Sequence, residues 1–522
     1  MAPISLGLFL SILLSSVISA LPSADNTRSH RRGGRALASG SKALSLPVDD
    51  VIDADLVTLP VATRRRSSGD VVSGRQLPTD EEDIGAVVTL PVIHSVKRGL
   101  YSRQLDLDLA KRSDVAYYAQ MNIGTPPQPV YVQLDTGSFE LWVNPDCTAV
   151  RPSDQTFCEA TGSYNLATST TGRSLQRGNS LQYGIGTANI SYVVDDLSFA
   201  GGPNLAQVQF GVATQTTDQF AGILGLGHGQ NFSTPYPNVM DQLAAQGAIR
   251  TKAFSLALGS KAEEMGTLVL GGIDTAKFSG SLAGMPVIPA DSAPDGVSRY
   301  WVSLQSIAIT PPSGRSIQFP GSKLPVFLDS GATLTLLPRP LADAIATSFG
   351  SPGLDSREFY PVDCSLVTTK GTVDFQFAGT TIKVPYNEMI RQNVRKDGTQ
   401  SCMLGIVPSP DFVLLGDTFL RSAYAVFDLA VDMVYLAQYV NCGSRVMEIR
   451  NSQSIAPVVG LCPDPSAVTT PDPGNGNGTA GQTDGTADGS KGALPSSALM
   501  IDASGVWSTL LMMAAITTLL TF

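Results

Sequence analysis

Two aspartates stand where an acid is out of place. In VYVQLDTGSFELWV (residues 130 to 143) and VFLDSGATLTLLP (residues 326 to 338), an apolar, strand-like run is broken by Asp, a small hydroxyl residue and Gly before apolar residues resume. The acids are Asp135 and Asp329, 194 positions apart. Two carboxyls held about 3 Å apart cannot both ionise, so one keeps its proton while the other is charged. Together they form an acid and a base. The charged group can deprotonate a water while the protonated one donates to a carbonyl oxygen, and the roles reverse as a nitrogen leaves. Gly137 and Gly331 allow close backbone approach, and the hydroxyls of Thr136 and Ser330 can tie the two loops together.

Other hydrolytic chemistries lack their residues. Of three histidines, His30 and His94 precede both motifs, and His228, in GLGHGQN, reads as an ordinary loop residue. A Ser-His-Asp triad would have to use that one, and multi-histidine zinc sites are out of reach. Ser138 and Ser330 have no base to activate them. Neither CxxC nor a Cys/His cluster points to a metal, and no cofactor is implied.

The elements that must position the acids are mostly strands. Tyr117, Ala119, Met121 and Ile123 alternate with polar neighbours, and GTPPQP turns the chain into VYVQL. Residues 375 to 385 read as a hairpin turning at Ala378-Gly379. Helices are predicted over 238 to 246, stopped by Gly247, and over 340 to 348, stopped by Gly350. Each Asp motif is followed by an apolar-apolar-Gly signature, AGILGLG with Gly225 90 residues on and VLLGDTFL with Gly416 87 residues on. The class is all-β with minor helices, built as two similar lobes that each offer one Asp.

At these residues the chain resembles the pepsin-like aspartic endopeptidases. The likeness covers residues 113 to 441, with VQLDTGS, ILGLG, VFLDSG and VLLGDTFL in the family's order. It implies a bilobal β fold with a cleft between the lobes, Asp135 and Asp329 as the catalytic pair, and protein or peptide substrates. It also assigns LQYGIGT to the hairpin flap over the substrate, with Tyr183 the flap tyrosine, Gly184 its turn, and Trp142 the tryptophan that bonds that tyrosine. Read without it, Tyr183 and Trp142 are core aromatics. One departure stands near the chemistry. Ser138, three residues after Asp135, matches the family's hydroxyl donor, but Ala332 occupies the corresponding place after Asp329, which bears on the pH optimum.

The ends of the chain differ from its middle. Residues 1 to 20 hold an uncharged apolar stretch ending in small residues, the form of a signal peptide. Residues 21 to 112 carry basic doublets and read as a propeptide cut after Lys111-Arg112; a basic arm with a separate role is the alternative. Residues 1 to 112 hold 14 Lys and Arg against 12 Asp and Glu, leaving 21 bases and 33 acids in the remainder. That balance disfavours nucleic acid and favours basic side chains in substrates. Secretion makes the six cysteines readable as disulfides, paired locally as Cys147 with Cys158, Cys364 with Cys402 and Cys442 with Cys462; free buried thiols are the alternative. Asn189, Asn231 and Asn477 lie in glycosylation sequons.

Residues 113 to 296 and 297 to 464 are read as the two lobes, and residues 465 to 498 as a flexible stalk. A signal tail, residues 499 to 522, whose uncharged apolar run is 506 to 522, follows a polar spacer with Gly489, Ser490, Ser496 and Ser497 as attachment candidates, the pattern of a GPI signal. A membrane-spanning tail is the alternative. The layout is similar to fungal yapsin-like or secreted aspartyl proteases: a monomer made as a zymogen and anchored at the plasma membrane or wall, or released. The competing reading is a protease-shaped surface binding protein without activity.

Overall fold

The computed structural model of the protein describes residues 87–94 and 116–464, apart from 149, 151, 153–154, 200–201, 220, 264 and 395–398. The expected signal peptide, Lys111, Arg112, Asn477, the stalk and the tail lie outside the described residues. The fold is β with few helices, as expected. The first strands are β1 (Val88–His94), β2 (Tyr117–Ile123), β3 (Gln128–Asp135), β4 (Leu141–Val143), β5 (Arg173–Gln182), β6 (Thr187–Phe199), β7 (Asn204–Thr217) and β8 (Gly222–Gly225). They belong to a thirteen-stranded sheet that continues from β1 through Met265–Leu270 and Ala253–Ala257 to Ala423–Asp428, Met433–Tyr439 and Phe278–Pro286. Chain from both ends of the protein thus shares one sheet. An eight-stranded sheet is built around Trp301–Thr310, Leu324–Leu328, Leu414–Leu415 and Thr335–Leu337.

The duplication read from the two Asp motifs appears as repeated register. β3 runs parallel to β8, with Leu134 opposite Leu224 and Asp135 opposite Gly225, and β4 lies antiparallel on the other side of β8. In the second half Leu324–Leu328 runs parallel to Leu414–Leu415, and Thr335–Leu337 packs antiparallel beyond it. In each half the strand that leads into the aspartate is clamped from the side by the strand that precedes the downstream glycine. Apolar residues flank each Asp because these strands are central: Val132, Leu134, Phe327 and Leu328 are all buried.

Local signals hold where they were strong. The helix Val239–Ala245 is capped by Asn238 and Asp241 in a reciprocal capping box, and Gly247 follows in the left-handed region. Arg339–Ser348 begins with Pro340 in its first turn and buries Leu341, Ala342, Ile345 and Ala346. The hairpin of Thr372–Phe377 and Thr380–Pro385 pairs Phe377 with Thr380. Disulfides join Cys147 to Cys158, Cys364 to Cys402 and Cys442 to Cys462, each across a short stretch of chain.

The strand β1 lies inside the stretch read as a propeptide. It is nonetheless inserted between two neighbours, pairing Val88 through Ile93 with Leu270 through Met265 on one side, and Ile93 and His94 with Tyr118 and Tyr117 on the other. Val88, Leu90 and Val92 point into the core while Thr89 and Pro91 are exposed. Burying three such side chains is worth roughly 5–8 kcal/mol.

Candidate active site

The two Asp loops meet tip to tip at the ends of their strands. Thr136 Oγ1 donates to the carbonyl of Leu328 at 2.9 Å and accepts the backbone N–H of Ser330 at 2.9 Å. The Ser330 hydroxyl does the reverse, donating to Leu134 O at 3.0 Å and accepting the N–H of Thr136 at 3.1 Å. Four bonds related by a local twofold thus cross between the halves, fully buried. A short hydroxyl side chain is required here, since it must both donate and accept within one turn of backbone.

That grip presses the carboxyls together. Asp135 and Asp329 are 5% and 1% exposed. The Gly137 N–H donates to Asp135 Oδ1 at 2.8 Å, and the Gly331 N–H to Asp329 Oδ1 at 2.9 Å. Each glycine also faces the opposite acid. A Cβ on Gly137 would stand 2.6 Å from Asp329 Oδ1, and one on Gly331 would collide with the carboxyl of Asp135, so only glycine admits the contact. Burial pushes the pKa of Asp135 well above the usual carboxylate range, and the charge of Asp329 pushes it further. The Gly137 amide and the nearby buried hydroxyl of Ser138 pull it back down. The charge of either acid disfavours that of the other, so the two titrate as a pair.

The turn between β5 and β6 brings Tyr183 near Asp135. Tyr183 closes it through a bond from its N–H to the carbonyl of Gly186. Trp142 Nε1 donates to the Tyr183 hydroxyl at 2.7 Å, and both side chains are buried. Burial raises the pKa of Tyr183, and the charge of Asp135 adds to it, so the phenol stays a neutral donor. Gly184, half-buried, forms the tip.

Several charged residues near the site escaped the sequence reading. Glu140 is buried and accepts from the phenols of Tyr192 and Tyr236 and from Asn179 Nδ2 on β5. Burial raises its pKa against the pull of those donors. Arg299, 2% exposed, reaches the carbonyl of Gly137. His228, read as an ordinary loop residue, is buried against the rings of Phe232 and Tyr300, with Nε2 2.8 Å from Asp432 Oδ1. No motif marks the burial of these residues, which depends on partners distant in sequence. Of the sequons, Asn231 is exposed on a turn and Asn189 is half-buried within β6.

Two acids in mutual contact, on crossed loops of a duplicated β fold, define the class of two-lobed aspartic endopeptidases. Residues 116–439 match the family model for eukaryotic aspartyl proteases, and the chain belongs to that family. It is 37% identical over 330 residues to secreted aspartic protease 8 of Candida albicans, covering 62% of this chain and 76% of that one. It is 30% identical over 388 residues to the probable aspartic-type endopeptidase opsB of Aspergillus fumigatus, covering 70% and 79%. The fold is similar to the crystal structure of an aspartic proteinase from Irpex lacteus, with a TM-score of 0.51 and 20% identity, covering 68% of this chain and 98% of that one.

Proposed function

We propose that this aspartic endopeptidase is secreted, made as a zymogen and held at the cell surface, and that it hydrolyses protein substrates at acidic pH with Asp135 and Asp329 as its catalytic pair. The observation that carries the dyad is the crossed grip of Thr136 and Ser330, which forces two buried carboxyls into contact. The charged member of the pair takes a proton from a water as the protonated member donates to the scissile carbonyl oxygen. The tetrahedral adduct collapses when the proton gained is passed to the leaving nitrogen. Tyr183, tied to Trp142, covers the substrate and excludes bulk water.

Secretion and anchoring are supported by the apolar residues 1–20, the spacer and apolar tail at 465–522, and relatives named as secreted proteases. Activation by cleavage after Lys111-Arg112 is a proposal that has to accommodate β1. Such a cut separates β1 from β2 covalently and leaves it held by two ladders of the sheet. Cleavage of a peptide library at acidic pH, blocked by a statine-type transition-state mimic, is the expected result. A folded, processed chain that binds the mimic but cleaves nothing would favour the inactive binding protein instead.

A further inference from the structure

The two Asp loops are held by more than the hydroxyl grip. The carbonyl of the glycine two residues after each aspartate accepts a hydrogen bond from a side chain of the opposite half. Gln133 Nε2 donates to Gly331 O at 3.1 Å, and Arg299 Nη1 donates to Gly137 O at 2.6 Å. The places are equivalent and the clamps are not. Gln133 is neutral and partly exposed, whereas Arg299 is a buried cation.

The surroundings of Arg299 are built to hold it there. Its Nε meets Asp295 Oδ2 at 2.5 Å, and the other oxygen of Asp295 is fixed by Trp301 Nε1 at 3.0 Å and the Val297 N–H at 3.1 Å. Its guanidinium lies over the rings of Phe139 and Phe327, which flank the two Asp motifs, with centroids at 5.7 and 5.3 Å. One planar fork thus spans the carboxylate four residues before it and the carbonyl of Gly137 on the first Asp loop, a task a point-like ammonium cannot perform. Taking a charge so far out of water is unfavourable unless every partner is in place, so the fork fixes the geometry around it tightly.

We infer that Arg299 is a positioning residue for the dyad: it locks the peptide that follows Gly137, keeping the Gly137 N–H aimed at Asp135 and the Ser138 hydroxyl beside it. This rests on the assignment of Asp135 and Asp329 as the catalytic pair. Both donors stabilise the charged form of Asp135, so loosening them raises the pKa of the pair and moves the acidic limb of the pH-rate profile upward. Misplacing the loop also lowers turnover without touching the substrate's binding groups.

The test is the double variant Arg299→Met with Asp295→Asn, which removes the buried cation and its half-buried partner charge and keeps the volume, assayed with inhibitor binding as a check on folding. The expected result is a kcat reduced on the order of ten- to a hundred-fold with KM within about threefold, and an acidic limb moved upward by about half a pH unit. Should the double variant not fold, Arg299→Lys decides the matter, because a lysine can reach Asp295 or Gly137 but cannot span both, and the same limb shift is expected. A folded variant with wild-type kcat and pH profile overturns the inference, as does a rise in KM at unchanged kcat, which would place Arg299 in substrate binding. Failure of the dyad assignment shows elsewhere, as activity surviving in Asp135→Asn, so the two outcomes are separable.

Discussion

The loop around Asp135 and the loop around Asp329 share a backbone and differ in almost everything that touches it. Both end a central strand, both are clamped by a parallel strand leading to Gly225 or Gly416, and both exchange the same pair of hydroxyl bonds. Around Asp135, however, stand Ser138, the Trp142–Tyr183 pair, the acid Glu140 with its two phenols, and the cation Arg299. Along the Asp329 loop stand Ala332, packed in an apolar cluster, and the neutral Gln133 at the Gly331 carbonyl. Duplication supplies two acids that cannot be told apart. The unlike surroundings give one half the Trp142–Tyr183 pair and a polar network and the other a more apolar loop.

The most severe way to break the comparison is to remove one acid at a time. Asp135→Asn and Asp329→Asn should each reduce kcat by about 10³-fold or more with the fold intact, because a single carboxyl cannot serve as acid and base together. The halves should behave alike here. Appreciable turnover in either folded variant, measured free of wild-type enzyme, would refute the paired mechanism.

Next in size is the strand on which only the first half leans. A chain beginning at Ser113 lacks β1 and exposes the edges of β2 and Met265–Leu270 together with the pocket of Val88, Leu90 and Val92. The loss of roughly 5–8 kcal/mol approaches the whole stability of a typical domain, so this chain should not fold alone. Active enzyme processed after Arg112 should retain a fragment containing residues 87–94 on a native column and release it in denaturant. A folded, active chain starting at Ser113 would show that β1 is dispensable.

A smaller effect sharpens the contrast at the flap. Trp142→Phe removes the donor to Tyr183 and keeps an aromatic ring in the cluster. One hydrogen bond of about 0.7–1.4 kcal/mol should lower kcat/KM three- to tenfold. Unchanged kinetics would mean that packing alone holds the tyrosine.

The pH dependence of stability separates the halves more gently. Burial raises the pKa of both Asp135 and Glu140, so between their ordinary values and the raised ones they stay protonated in the fold while the unfolded chain has already ionised. Unfolding then releases protons, and stability falls as pH rises through that window. The unfolding temperature should therefore decline from about pH 4 toward neutrality. Glu140→Gln, which cannot ionise, should flatten the decline by about 1–3 °C. A slope identical to wild type would show that Glu140 is not among the groups responsible.

What could be read from the sequence follows from how local each signal is. The Asp loops, the flap turn and the capped helix after Asn238 were legible because a few adjacent residues specify their geometry. Glu140, Arg299 and His228 were not, since their burial depends on which distant strands converge and no neighbour in sequence announces it. β1 is the instructive case: Val88, Leu90 and Val92 alternate as a half-buried strand should, yet the basic doublets around them point to processing.

The finest difference between the loops is one oxygen. Ser138 places a hydroxyl beside Asp135, and the equivalent step along the second loop ends at Ala332, fully buried against Trp301, Phe327 and Leu334. A hydroxyl that donates to a carboxylate stabilises its charged form and lowers its pKa. Ala332→Ser adds that oxygen without the extra methyl of threonine, which this packed cluster has no room to absorb without strain. With a hydroxyl added at this place the pair should lose its first proton more readily, and the acidic limb of the pH-rate profile should move downward by about half a pH unit, on the order of 0.7 kcal/mol. The basic limb reports loss of the second proton, and it should move in the same direction by less, because the remaining charge is already shared. A profile that superimposes on wild type would mean that the asymmetry between Ser138 and Ala332 has no part in setting the working pH, and that the difference between the halves acts through Arg299 and the flap instead.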